Sequence, residues 1–192
     1  MEETKDTMNR LLFLTGYVEE GNCHSLTQEI IKINKHDDKM EQEKVKYERK
    51  PIELYVDSFG GDCYSGWGLY TAIRMSKTPI HTICISKAMS MGFLILLCGH
   101  KRFASKDAHL MYHDVACWTG GKRQEIKESV EEMEILMSMY DGVVLERTNL
   151  LKEKLDDVKL KKQNWFMRGE EGKKHGIVDE ILSAFPVQEV KE

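Results

Sequence analysis

Apolar and polar positions along the chain fall into blocks of strand and helix length. Arg10 to Val18 (RLLFLTGYV) is a short apolar run holding one glycine, and it predicts a first strand. From Ser25 to Ile33, residues Leu26, Ile30, Ile31 and Ile33 recur as on one face of a short helix. The almost wholly charged run from His36 to Lys50 then predicts a solvated helix extension or surface loop. Pro51 ends that run, and Ile52 to Val56 (IELYV) predicts a second strand that stops at Asp57-Ser58-Phe59-Gly60-Gly61. Gly66 to Met75 sets Leu69, Ala72 and Ile73 at helical spacing, after which Pro79 opens an apolar strand from Ile80 to Ser86. Beyond Ser90 the unit repeats, with a helix from about Met91 to Cys98, a turn at Gly99 and a strand around His109 to Tyr112. Successive strand–helix units predict an α/β fold with a mainly parallel sheet buried on both faces.

Lys122 to Arg147 is different in kind. Ile126, Val130, Met133, Met137, Tyr140 and Val144 form one stripe and Lys and Glu fill the rest, so a long helix is predicted that projects or packs on a neighbour. Its methionines suit core packing and adaptable subunit contacts alike. The longest apolar stretch, Phe93 to Cys98, is six residues, far below the roughly 20 needed to cross a bilayer.

With 192 residues, the chain is expected to form one domain spanning residues 1–192 with one core. Lys plus Arg number 28 against 32 Asp plus Glu, so no basic surface points to nucleic acid. The five cysteines, Cys23, Cys63, Cys84, Cys98 and Cys117, are scattered and contain no C-x-x-C pair. That predicts neither a zinc site nor a disulfide framework, and it fits a reducing compartment. The acidic, polar start Met1-Glu2-Glu3-Thr4-Lys5 lacks a secretory pattern, so a cytoplasmic protein is expected, with no cofactor, metal or membrane association.

Three places carry candidate chemistry. Ser90, in Lys87-Ala88-Met89-Ser90-Met91-Gly92, lies where an apolar strand gives way to an apolar helix. A serine there exposes its hydroxyl on a sharp turn, beside backbone N–H groups able to face an oxyanion; it is equally the place of an ordinary helix N-cap. Gly60 and Gly61 follow a strand, and they serve either as a tight turn or as an N–H donor and an edge for extended peptide. His113 ends the LMYH run 23 residues after Ser90. A helix–turn–strand excursion of that length returns the chain beside its starting strand, where a neutral imidazole takes a seryl proton. A strand-end histidine bonded to backbone is the plainer alternative.

Taken in order, five stretches make a specific resemblance: IELYVDSFGGD, ICISKAMSMGFLILLCG, KRFASKDAHLMYH, VVLERTN and NWFMRGEEGKKHGIVDEIL. Over residues 10–182 the chain resembles the Clp protease proteolytic subunit family. The resemblance implies a Clp-protease/crotonase-like fold of repeated β-β-α/β-α units, with the long helix, about residues 120–148, as a protruding handle. It further implies a serine endopeptidase acting on unfolded polypeptides, with Ser90 as nucleophile, His113 as base, and Gly61 and Met91 as oxyanion donors. The implied partners are other copies of the chain, in a tetradecamer of two heptameric rings, and an AAA+ ATPase unfoldase. Aligning WFMRGEEG puts Asn164 where the family usually has the triad aspartate, so Asn164 is expected to accept a hydrogen bond from His113 without adding charge. The Thr148 to Phe166 segment is about two residues longer than usual by the same alignment, which leaves Asp156 and Asp157 as further candidates. Only nine residues precede Arg10, so the family's axial loops are not carried over. Other readings are a weakly catalytic structural subunit assembling with an active homologue, a crotonase-type acyl-CoA enzyme, and a Ser–Lys dyad using Lys87 or Lys101.

Overall fold

A computed structural model of the chain describes residues 8–43, 46–116 and 118–185. The residues before Met8 and the fifth cysteine, Cys117, lie outside the described residues. The first strand, β1 (Leu11–Val18), buries Leu12 and Leu14 and turns Leu11 and Phe13 outward, as period-2 alternation requires. Helix α1 (Glu20–Glu43) is much longer than the apolar spacing predicted. Its buried residues are Cys23, Leu26, Ile30, Ile33 and Asp37, so one continuous stripe at intervals of three and four ends on a carboxylate.

Asp37 therefore corrects the picture of the charged run as merely solvated. It is fully buried, at 0% exposure. It accepts hydrogen bonds from Arg10 Nη2 at 2.6 Å, Tyr47 Oη at 2.6 Å and Thr78 Oγ1 at 2.6 Å. Burial alone would raise its pKa, but the bonds from Arg10, Thr78 and Tyr47 and the charge of Arg10 outweigh that and hold it below the ordinary carboxylate value. The charged segment is stapled to the start of β1 and to the approach to the third strand.

The second strand, β2 (Ile52–Gly61), is the centre of the sheet. It does not stop at Asp57. It runs through both glycines, because β1 pairs with it in parallel from Leu11↔Glu53 to Val18↔Gly61, with a bulge between Gly16 and Tyr17. After α2 (Cys63–Met75), whose Asp62 cap accepts from the Ser65 N–H, the predicted Ile80 to Ser86 strand becomes β3 (Ile80–Cys84), with β4 (Lys87–Met89) just beyond it. The two share the other edge of β2: β3 pairs with Ile52 to Tyr55, and β4 with Ser58. From this fork one branch continues through β5 (Lys101–Ser105) to β8 (Glu180–Leu182). The other continues through β6 (His109–Tyr112) to β7 (Trp165–Arg168). Every pairing is parallel except β6 with β7, so the expected α/β architecture holds.

Helix α3 (Met91–Leu97) is apolar all round, and all seven of its residues are buried. The long helix α4 (Arg123–Arg147) buries Leu136, Met137, Tyr140, Val143 and Val144. None of the residues of its first three turns is buried, and Ile126, Val130 and, in the fourth turn, Ile135 are exposed. Arg147 closes it by donating to the carbonyls of Leu97 and Gly99, which ties the end of α4 to the end of α3. Two short helices follow, α5 (Lys152–Leu160) and α6 (Gly169–Lys174). No helix among the described residues is long and apolar enough to cross a membrane.

Removing one partner from a buried ion pair strands the other charge, which costs about 3–5 kcal/mol. Asp37→Ala is accordingly expected to lower the thermal midpoint by about 6–20 °C, read by circular dichroism. Asp38→Ala is expected to move it far less, because Asp38 reaches Arg49 from a partly exposed position.

Candidate active site

Strand β4 ends and α3 begins at Ser90, which has φ 52° and ψ −125°. Besides Lys162, it is the only non-glycine residue at positive φ among those described. Such a backbone costs of order 1–3 kcal/mol and persists only where its surroundings enforce it. Here the Ser90 N–H donates to the Met111 carbonyl at 2.9 Å, and Phe93 and Leu94 N–H groups donate to the Ser90 carbonyl at 2.9 and 3.2 Å. The Ser90 side chain makes no capping bond, so the plain N-cap reading does not describe it.

Gly60 is shaped to the same turn. A Cβ there would lie 2.6 Å from Ser90 Cβ, 2.7 Å from the Met89 carbonyl and 2.9 Å from the Met91 nitrogen, and φ is +90°. The Gly60–Gly61 pair is therefore a strand end, with Gly60 against the serine and Gly61 against the Val18 backbone, and neither residue forms the tight turn its sequence suggests. Gly92 fits equally closely against Ser58, at 3.0 Å from its Cβ.

His113 follows β6, which lies parallel beside β4 with Met89 opposite Met111. The two strand ends converge and bring His113 Nε2 to 2.8 Å from Ser90 Oγ. The ring is half-buried, and burial lowers its pKa below the ordinary imidazole value, opposed by the negative charge of Asp114. Its bond to Ser90 is the only hydrogen bond of the His113 side chain among the described residues.

The remaining candidates are not gathered here. Asn164 lies just before β7, is exposed, and makes no hydrogen bond to His113. The β6–β7 ladder ends at Tyr112↔Trp165, so Asn164 lies one residue beyond it on the His113 side, with its side chain exposed and no hydrogen bond to the imidazole. Asp156 pairs with Lys152 and Lys159, and Asp157 with Lys161, all on the surface of α5. Lys87 is held by Asp57 at 2.5 Å, away from Ser90.

Ser90, Met91, His113 and Gly61 line a small pocket of about 60 Å³ together with Cys63, Val115, Ala116 and Tyr140. Gly61, Cys63, Val115 and Ala116 also wall a groove of about 580 Å³ that runs along α4 past Ser129 and Met133. Reading the sequence missed Tyr140 as part of this site. Placed in the apolar stripe of α4, it reads as core, and only the assembled fold shows its hydroxyl directed at Ser90. Cys23, Cys63, Cys84 and Cys98 are free thiols. No group of three or more His, Cys, Asp or Glu side chains among the described residues is placed to hold a metal ion.

A forked parallel sheet carrying a serine–histidine pair at a strand-to-helix turn defines an α/β protein of the serine-hydrolase type of geometry. The family model for Clp protease matches residues 5–184, and the chain belongs to that family. It is 26% identical over 176 residues to the ATP-dependent Clp protease proteolytic subunit of Deinococcus radiodurans, covering 91% of this chain and 80% of that one. The curled sheet and the six helices among the described residues are consistent with the family's fold.

Because the neutral imidazole is favoured, His113 is expected to titrate below about 6.5, the ordinary value. Asp114→Asn removes the charge that favours the imidazolium and so moves that titration lower still. Histidine NMR signals followed against pH check both statements.

Proposed function

We propose that this chain is a serine endopeptidase subunit that cleaves polypeptide segments. The observation that carries the reading is the 2.8 Å contact between Ser90 Oγ and His113 Nε2 at a turn of positive φ. In this reading Ser90 Oγ attacks the scissile carbonyl while His113 Nε2 takes its proton. The N–H groups of Met91 and Gly61 receive the oxyanion. The same proton passes to the leaving amine, and water, deprotonated by His113, then releases the acyl group from Ser90. Family membership supports a proteolytic role, and the groove along α4 suits an extended chain. No step is assigned to Asn164.

Assembly belongs to the same proposal: two stacked heptameric rings enclosing the sites, fed in the cytoplasm by an ATPase unfoldase. The uncovered apolar residues Ile126, Val130 and Ile135 of α4 support a self-contact, and the name of the Deinococcus relative, an ATP-dependent protease subunit, supports dependence on ATP for the complex. A second reading, a weakly catalytic subunit paired with an active homologue, is favoured because no carboxylate among the described residues bonds His113. Loss of the anionic partner lowers turnover by about 10⁴ in another serine peptidase.

A fluorophosphonate probe is expected to tag the peptide containing Ser90, and Ser90→Ala is expected to lose both the tag and hydrolysis of a fluorogenic peptide. Equal cleavage by parent and Ser90→Ala would overturn the assignment. Tagging of Ser90 with turnover too slow to detect selects the weak-subunit reading.

Light scattering is expected to give a mass many times the 22.3 kDa of one chain. A monomer at micromolar concentration sinks the assembly.

A further inference from the structure

The carbonyl of Ser90 accepts three donors. Two are the Phe93 and Leu94 N–H groups, which open α3. The third comes from a different element: the Tyr140 hydroxyl of α4, at 3.1 Å. That carbonyl belongs to the same planar peptide unit as the Met91 N–H, and in a trans peptide the two point in opposite directions. No cis peptide bond is present among the described residues. Whatever holds the oxygen end therefore aims the N–H end, and Met91 is one of the residues lining the pocket that Ser90 and His113 share.

We propose that Tyr140 is a positioning residue for the oxyanion donor, acting through the Ser90–Met91 peptide to aim and polarise the Met91 N–H. This rests on the peptidase reading of the site and names a part of it that lies outside the serine, the base and the donors themselves. Two effects combine. The hydroxyl restricts the tilt of the peptide plane, and a hydrogen bond accepted by a carbonyl strengthens the N–H of the same unit as a donor.

Tyr140 is well placed for this. Its side chain is buried, and its ring stacks on Tyr112 with centroids 5.5 Å apart and planes 21° apart. Tyr112 in turn donates to Asp141 at 2.5 Å, and Lys159 also bonds Asp141. Tyr112 immediately precedes His113 in the chain. One turn of α4 thus grips the peptide of the nucleophile through Tyr140 and the strand of the base through Asp141. Burial raises the pKa of the Tyr140 phenol well above its ordinary value, so it remains a donor at neutral pH.

Tyr140→Phe tests this in the full-length protein as it assembles. The ring and its stacking remain, and the Ser90 carbonyl keeps its two α3 donors, so melting is expected to change little. Removing a direct oxyanion donor costs about 10²–10³ in turnover; losing a group that acts through the peptide is expected to cost less, about 5-fold in kcat with KM unchanged. Inhibition by a peptide boronate, whose tetrahedral adduct places an oxygen where the oxyanion forms, is expected to weaken by the same factor. An unchanged kcat, a change confined to KM, or a lower kcat with undiminished boronate affinity overturns the proposal while leaving the peptidase reading intact. If the parent Ser90 takes no fluorophosphonate, the peptidase reading fails, and this inference fails with it.

Discussion

The strained backbone at Ser90 is the constraint around which the other elements are arranged. An L-residue at φ 52° and ψ −125° does not hold that conformation unaided. It is enforced from three sides. Strand β6 accepts its N–H, α3 donates two N–H groups to its carbonyl, and β2 passes so close that only glycine fits at position 60. The fork in the sheet follows from the same requirement. With β3 and β4 sharing one edge of β2, β4 can end beside Gly60 while β3 carries the sheet on to β5. The second branch then sets β6 against β4 and delivers His113 to the serine.

Rigidity of this kind needs a firm body behind it. Helix α3 is buried on all sides, and Arg147 donates to the carbonyls at its far end, where the last turn lacks partners of its own. On the other branch Arg102 bonds Asp179 and the carbonyls of Arg147 and Gly176, joining β5, the end of α4 and the approach to β8. The Arg10–Asp37 pair performs the same service for β1 and α1. Its carboxylate is stabilised when ionised, so its contribution is complete above the unfolded aspartate pKa and is lost as pH falls through the lower folded value.

The base is tuned by desolvation more than by charge. Burial favours the neutral ring, Asp114 opposes that only in part, and among the described residues no carboxylate bonds the ring to stabilise an imidazolium. A base of this kind is ready to accept a proton at neutral pH but gains little electrostatic help once it has one. The groove along α4 begins at the pocket wall, so the helix that borders the groove also supplies Tyr140 and Asp141 to the site.

Local pattern alone determined β1, β2, α2, β3, α3, β6 and α4 in their order, the apolar character of α3, and Ser90 and His113 as ends of neighbouring elements, but not β4, β5 or the elements after α4. Hydropathy periodicity is set by near neighbours in the chain, and a 23-residue excursion between two parallel strands has few ways to close. What depends on residues far apart in sequence was decided only by the tertiary structure. Asp37 reads as one charge in a polar run until Arg10, Tyr47 and Thr78 surround it, and Gly60 reads as a turn until β1 extends the strand beneath it. Asn164 aligns with a triad position yet stands in solvent, whereas Tyr140, indistinguishable from core in the stripe of α4, reaches the peptide of the nucleophile. The reason is geometric: a hydrogen bond depends on ångström-scale placement across separate elements, which the spacing of residues along one element does not encode.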